Sequence, residues 1–228
     1  LTSIEPAAAI FHARGLPTLL AAVVIADTRP VIIAAQLPEE AAQDILRFEG
    51  LVDGDAEDDL PVIADDSELA LLIHTSGSTG HPKGVMLSHA NVDAACQSIL
   101  GYLENTADDV VLSVLPLSFG YGITQMVTMA SIGGTLVLEK SFAFPRKIVD
   151  RLAEEGATGF PMVPAMAALL GGMKDLEPGF LPKLRYVTSA AAALPPALSG
   201  RLQALLPETK IVVMYGQTEC LRVSFLPA

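Results

Sequence analysis

The sequence predicts an α/β fold with a mostly parallel sheet and crossover helices. Two observations carry this. From residue 69 onward, short runs of β-branched and aliphatic residues alternate with amphipathic stretches. The chain is also 51% apolar and 18% charged, with a mean hydropathy of +0.46, which suits strands covered on both faces. At 228 residues it is long enough to bury roughly 70% of its unfolded surface, so its core needs no disulfide or metal staple.

Taken in order, the segment 1–50 holds an apolar run at Leu16–Ala26, a strand candidate at Pro30–Ala34 and a helix-like stretch at 39–48. The run Leu16–Ala26 is far short of the ~20 residues that span a bilayer, and it lacks a basic leader, so neither a transmembrane anchor nor a signal peptide is expected. The acidic stretch from Asp53 to Glu68 contains no Lys or Arg and reads as a solvated connector. Strands are then expected at Leu69–His74, Val110–Leu115, Thr135–Leu138, Gly159–Val163, Leu184–Val187 and Ile211–Met214. Ser88 is placed to cap a helix through the nineties, and Pro145 and Pro195–Pro196 suit first helical turns, where a missing N–H costs nothing.

Composition excludes several roles. A net charge of −12 opposes nonspecific attraction to nucleic acid or anionic lipid. Two cysteines and four histidines supply no disulfide framework or zinc motif, which makes a reducing cytoplasm the default expectation.

In an open parallel sheet, ligands bind beyond the carboxyl ends of the strands. The loop Thr75-Ser76-Gly77-Ser78-Thr79-Gly80-His81-Pro82-Lys83-Gly84 is expected at such an end. Its glycines allow the backbone to approach a ligand closely, while four hydroxyls and the Lys83 ammonium surround one point with donors. That set suits a triphosphate. The kinase-type phosphate loop is excluded, because it requires Gly-Lys followed by Ser or Thr.

This ten-residue string resembles the signature loop of the adenylate-forming superfamily, which comprises acyl-CoA synthetases, nonribosomal-peptide adenylation domains and luciferases. The resemblance implies that Thr75, Ser76, Gly77, Ser78, Thr79, Gly80 and Lys83 close over the β- and γ-phosphates of ATP. Tyr215-Gly216-Gln217-Thr218-Glu219 resembles a second motif of that family. It implies a Tyr215–Gly216 contact with adenine, a Thr218 bond to the α-phosphate and a Mg²⁺ held by Glu219. Lys83, Thr218 and Glu219 would then be the catalytic residues.

Thr188–Pro195 occupies the place of the family's adenine loop, with alanines where glycines and a proline are usual, so Ala191 and Ala192 are expected to meet adenine through their backbone. Pro116–Gly122 resembles the family's substrate segment. Phe119 fills its aromatic position, and Gly120 stands where amino-acid-activating relatives carry an Asp for the substrate ammonium. A simple carboxylic acid of fatty or aryl type is therefore expected, with Phe119, Gly120, Tyr121 and Met162 around it and Gln125, Met126, Val163 and Met214 as further apolar lining.

The resemblance is strong over 69–228 and faint over 1–68. It implies an incomplete large domain, with 1–68 a partial N-terminal subdomain plus acidic connector and 69–228 a truncated ATP/AMP-binding subdomain. The lysine-bearing C-terminal domain of the family is not in this sequence, so the isolated chain is expected not to complete adenylation. The parent would be an acid–thiol ligase that uses ATP and Mg²⁺, releases pyrophosphate and transfers the acyl group to coenzyme A. Two alternatives stand beside it: a module that loads the phosphopantetheine of an acyl carrier protein, and a noncatalytic nucleotide-binding relative.

Overall fold

The computed structural model describes residues 8–12, 14, 17, 19, 20, 22, 30–36, 45–47, 65–76 and 82–226. The chain divides into two compact units, Leu1–Val62 and Ile63–Ala228. The first contains a three-stranded parallel sheet in the order β1 (Ala8–His12), β2 (Val31–Ala35), β3 (Leu46–Arg47). The helix expected over 39–48 is therefore corrected at its end, where Leu46 and Arg47 pair with Ile33 and Ala34 as a strand. Sheet pairing there overrides a helical periodicity only ten residues long. Most of the acidic connector, Asp53 to Asp59 included, lies outside the described residues.

The second unit opens with a hairpin of β4 (Leu69–Thr75) and β5 (Lys83–Ser88), antiparallel and with Thr75 opposite Lys83. This corrects the expectation that Leu69–His74 begins the parallel sheet. Leu71, Ile73, Val85 and Leu87 share one face, the period-2 signal of a half-buried ribbon, and that face packs on α1 (His89–Leu103) through Val92 and Ala95. Ser88 caps α1 as expected: its hydroxyl accepts the Asn91 N–H at 3.2 Å, and the Asn91 carbonyl oxygen accepts the Ser88 N–H at 3.1 Å.

A six-stranded sheet follows, in the order β11 (Ser224–Leu226), β10 (Lys210–Tyr215), β9 (Tyr186–Ser189), β8 (Gly159–Met162), β6 (Val110–Ser113), β7 (Thr135–Leu138). All neighbours are parallel except β11, which runs antiparallel to β10. Strand alternation sorts the core. Leu112, Val187 and Ile211 point to the face covered by α3 (Pro145–Glu154), α4 (Pro164–Gly171) and α5 (Pro196–Leu205). Their neighbours Val111, Tyr186 and Val212 point to the face covered by α1 and α2 (Gly120–Ile132). Each of α3, α4 and α5 has a proline in its first turn.

Because β7 lies on one side of β6 and β8 on the other, the winding reverses at β6, and the loops after β6 and β8 flank a natural crevice. Strand ends differ slightly from the expected ones. β6 stops at Ser113, whose hydroxyl accepts the Leu115 N–H and turns the chain toward Pro116. β9 starts two residues late, because Leu184 bonds back to Leu181 in a turn and fills the core instead.

At the opposite end of the sheet, Asp109 is almost fully buried and accepts hydrogen bonds from the Arg185 guanidinium at 2.7–3.1 Å, from Thr158 Oγ1 at 2.6 Å and from the Thr106 N–H at 2.8 Å. Burial alone would raise its pKa, but these donors outweigh burial and hold it below the ordinary 3.8. A carboxylate depressed in the folded state contributes stability above its unfolded pKa and loses it as pH falls through the folded value. Replacing Asp109 with Asn should therefore cost about 2 kcal/mol near neutrality, moderated by the partial exposure of Arg185. Urea titrations should show this cost shrinking as pH falls below about 4, where Asp109 of the unfolded wild type takes up a proton and the D109N side chain cannot.

Candidate functional site

The carboxyl ends of β9 and β10 bring the expected residues together. After Tyr215 the chain loops out through Gly216-Gln217-Thr218-Glu219 and returns, and the Val223 N–H bonds the Tyr215 carbonyl at 3.0 Å. Gly216 is required in this loop, since an added Cβ would collide with the carbonyl oxygen of Leu221. The Cys220 N–H bonds the Gln217 carbonyl, so Thr218 and Glu219 stand at the bend. Tyr215 is 53% exposed, with its hydroxyl hydrogen-bonded to Gln217.

Two concave regions open from this loop. A compact cavity of about 180 Å³ is lined by Phe119, Gly120, Tyr121, Ala191, Thr218 and Arg222, with Gly216 beside them. Six residues singled out in the sequence, namely Phe119, Gly120, Tyr121, Ala191, Gly216 and Thr218, thus meet in one place. The adjoining cleft of about 390 Å³ is bounded by Ala191, Ala192, Tyr215, Gly216, Phe225 and Leu226, a flat apolar surface suited to an aromatic ring. Ala191 turns between the two with φ of +73°, a left-handed conformation that L-residues adopt at a cost of roughly 1–2 kcal/mol.

Phe119 precedes the first turn of α2 and is 64% exposed. Gly120 begins that helix; a Cβ there would press on Leu221 at 3.1 Å. Tyr121 donates to or accepts from the Thr188 hydroxyl at 2.7 Å and donates more weakly to the Met162 carbonyl at 3.4 Å. Burial pushes its phenol far above the ordinary value, so it is a neutral hydrogen-bonding wall. Met162 does not line the cavity. Its side chain is fully buried in the core beside Val187, and only its carbonyl reaches Tyr121.

The remaining expected residues are more dispersed. Thr75 and Lys83 face each other where β4 ends and β5 begins, with Ser76 and Lys83 exposed. Gly77, Ser78, Thr79 and Gly80 lie outside the described residues. Glu219 is exposed and borders a separate cavity with Asn91, Ser98 and Arg222. Met214 is buried but touches the wider cleft, Gln125 is buried within α2, and Met126 is 43% exposed.

Among the described residues no group of three or more His, Cys, Asp or Glu gathers as a metal cage. Also among the described residues, no helix is long and apolar enough to cross a membrane. Arg222 and Phe225 escaped the sequence reading. Arg222 had one signal, as the only cation after Lys210.

Comparison with known proteins bears on this geometry. The family profile described as AMP-binding enzyme matches residues 3–228. Among relatives, the chain is 37% identical over 174 residues to phosphinothricin tripeptide synthetase PhsB of Streptomyces viridochromogenes, covering 73% of this chain and 14% of that one. It is 29% identical over 187 residues to 4-coumarate–CoA ligase 2 of Petroselinum crispum, covering 79% and 34% respectively. The chain thus spans between 14% and 34% of the length of these relatives. Among solved structures, VinN in complex with L-aspartate superposes with a TM-score of 0.74 at 28% identity, over 99% of this chain and 67% of that one.

The loop conformations carry a stability prediction. Ala191→Gly should stabilise the fold by about 0.5 kcal/mol, because relief of the left-handed strain exceeds the entropy glycine adds to the unfolded chain. Gly216→Ala should destabilise by about 2 kcal/mol or more, because backbone must move. Denaturant midpoints of the two variants, shifting in opposite directions from the wild type, check both.

Proposed function

The chain belongs to the family of AMP-binding enzymes, and from that premise we propose that its parent protein activates a carboxylic acid with ATP and passes it to a thiol. The observation that carries this reading is the single cavity at the sheet's carboxyl end, shared by Gly120, Tyr121, Ala191, Gly216 and Thr218. A carboxylate held there by Phe119, Gly120 and Tyr121 lies beside the residue assigned to the α-phosphate. Its oxygen attacks the α-phosphorus, the bond from that phosphorus to the bridging oxygen breaks, and pyrophosphate leaves with its charge.

In this reading Thr75, Ser76, Gly77, Ser78, Thr79, Gly80 and Lys83 supply N–H, hydroxyl and ammonium donors to the departing β- and γ-phosphates. Thr218 donates to the α-phosphate. Tyr215 and the backbone of Ala191 and Ala192 border the apolar cleft where adenine stacks. When bound at Glu219, Mg²⁺ neutralises phosphate charge and orients the leaving group. Stabilisation of charge that develops in the transition state supplies most of the rate, so the donors matter more than any proton transfer.

Coenzyme A is the thiol acceptor favoured by the substrate segment: Gly120 offers no carboxylate to an ammonium group, as expected for a plain acid. A second reading has its own support. PhsB and VinN, at 37% and 28% identity, make a carrier-protein phosphopantetheine the alternative acceptor, since one is named a peptide synthetase and the other was solved with an amino acid.

Lys83→Ala and Glu219→Gln in the full-length protein should each lower ATP–pyrophosphate exchange by about 10²–10³-fold, the usual effect of removing one preorganised charge partner. Unchanged exchange in both variants would overturn the assignment. Transfer of the activated acyl group to free coenzyme A, or only to a phosphopantetheinylated carrier, decides the acceptor.

A further inference from the structure

Arg222 has no charge partner in a setting where it needs one. Its Nε is buried and makes no hydrogen bond. The guanidinium carbon lies 5.4 Å from the centroid of the Tyr121 ring, over its face. Arg222 takes part in no ion pair among the described residues, although five other cationic side chains do. The polar groups nearest it are phenols. Burial pushes Tyr102 and Tyr121 up; the charge of Arg222 and a hydrogen bond with it at Tyr102, and the Thr188 hydrogen bond and the Arg222 charge at Tyr121, only partly offset this, so both remain neutral and Arg222 meets phenols rather than a carboxylate. Glu219 borders the neighbouring cavity with Arg222 but does not pair with it.

A half-buried guanidinium flanked by neutral groups bears a desolvation cost that an anion would relieve. Its planar fork suits a carboxylate held by two parallel N–H···O bonds. The cavity that Arg222 lines holds Gly120, Tyr121 and Thr218, together with Ala191 and Gly216, which also border the adenine cleft. Its volume, about 180 Å³, is below the ~300–1,000 Å³ of sites for larger ligands and favours a compact occupant.

We propose that Arg222 binds a second acidic group on the acid, so that the substrate is a short dicarboxylic acid activated at one end and anchored at the other. This rests on the acid-activating reading above. The charges then agree: Gly120 withholds the carboxylate that would attract an ammonium group, and Arg222 supplies the cation that attracts an anion. A neutral acid of equal length leaves the guanidinium unpaired, and sites built for a polar group reject analogues that lack it by large factors.

The test uses the full-length protein and linear diacids from malonate to adipate, each beside the monoacid in which a methyl replaces the far carboxyl. Pyrophosphate release gives kcat/KM for each acid. For at least one pair the wild type should prefer the diacid by 100-fold or more. Arg222→Met should reduce that ratio at least tenfold, and Arg222→Lys, which keeps charge but not the fork, should fall between.

Wild-type use of the monoacids as well as the diacids would overturn the proposal. So would an equal slowing of every acid by R222M, which would place the guanidinium on the nucleotide or in the scaffold. Thermal shift with the same acids separates the two levels of inference. A diacid that raises the wild-type Tm but not that of R222M, with no pyrophosphate released, supports the anion site and removes the acid-activating reading. Monoacid turnover with no diacid preference in rate or shift does the reverse. Absence of both turnover and shift overturns both.

Discussion

The site depends on the seat of one side chain, Leu221. It is buried against Ile73 and Leu87 of the hairpin and Ala95 of α1, with Ile123 of α2 beside them. It also lies against Gly120, and its own carbonyl occupies the space that makes Gly216 obligatory. Three segments that contribute to the site, namely the hairpin, the start of α2 and the 215–223 loop, therefore meet on a single apolar contact. Leu221 sits at φ of +52°, a conformation that costs of order 1–3 kcal/mol in a non-glycine residue. Burying a leucine contributes about 1.5–3 kcal/mol, so packing holds the strained loop in place. The strain is compensated within the same residue that causes it.

The sheet turns that contact into a site by geometry. Alternation along β6, β9 and β10 sends successive side chains to opposite layers, so each strand is anchored on both faces and its carboxyl end is fixed in position. The loops that follow β6, β9 and β10 converge at that end, and Gly120 and Tyr121, at the start of α2, line the cavity among them. Asp109 and Arg185 fasten the other end of the same strands, well away from the chemistry, where a buried charge pair adds register without exposing a charge to the ligand.

Much of this was legible in the sequence, and the failures share a cause. Strands such as Val110–Ser113 and Gly159–Met162 declare themselves because parallel strands buried on both faces are largely apolar runs between turn residues. Ser88, Pro145 and Pro196 announce helix starts because capping and ring geometry are local. The hairpin partner Lys83–Ser88 was hidden behind the glycine-rich string that precedes it, whose functional signal overlaps its first residues. Leu69–Thr75 has the composition of a parallel strand, and only its partner makes it antiparallel; pairing is not written in one strand alone. Met162 looked like a flexible pocket residue, but alternation in β8 turns it into the core. Arg222 was passed over because what marks it, a half-buried guanidinium among phenols with no carboxylate partner among the described residues, exists only in three dimensions.

One electrostatic question remains: how a chain of net charge −12 can attract polyanions. Distance decides it. At physiological salt the screening length is about 8 Å, so acidic groups elsewhere on the surface act on a phosphate only weakly. A cation about 4 Å from an anion near the protein surface gains of order 4 kcal/mol before desolvation, several times what screened charges farther away subtract. In the proposed site, Lys83 at the exposed hairpin end and Arg222 at the inner cavity supply that local positive charge. They differ in character as their positions require. Lysine, compact and mobile, suits phosphates that must leave, whereas arginine, planar and partly buried, suits a group that stays in place while the other end of the molecule reacts.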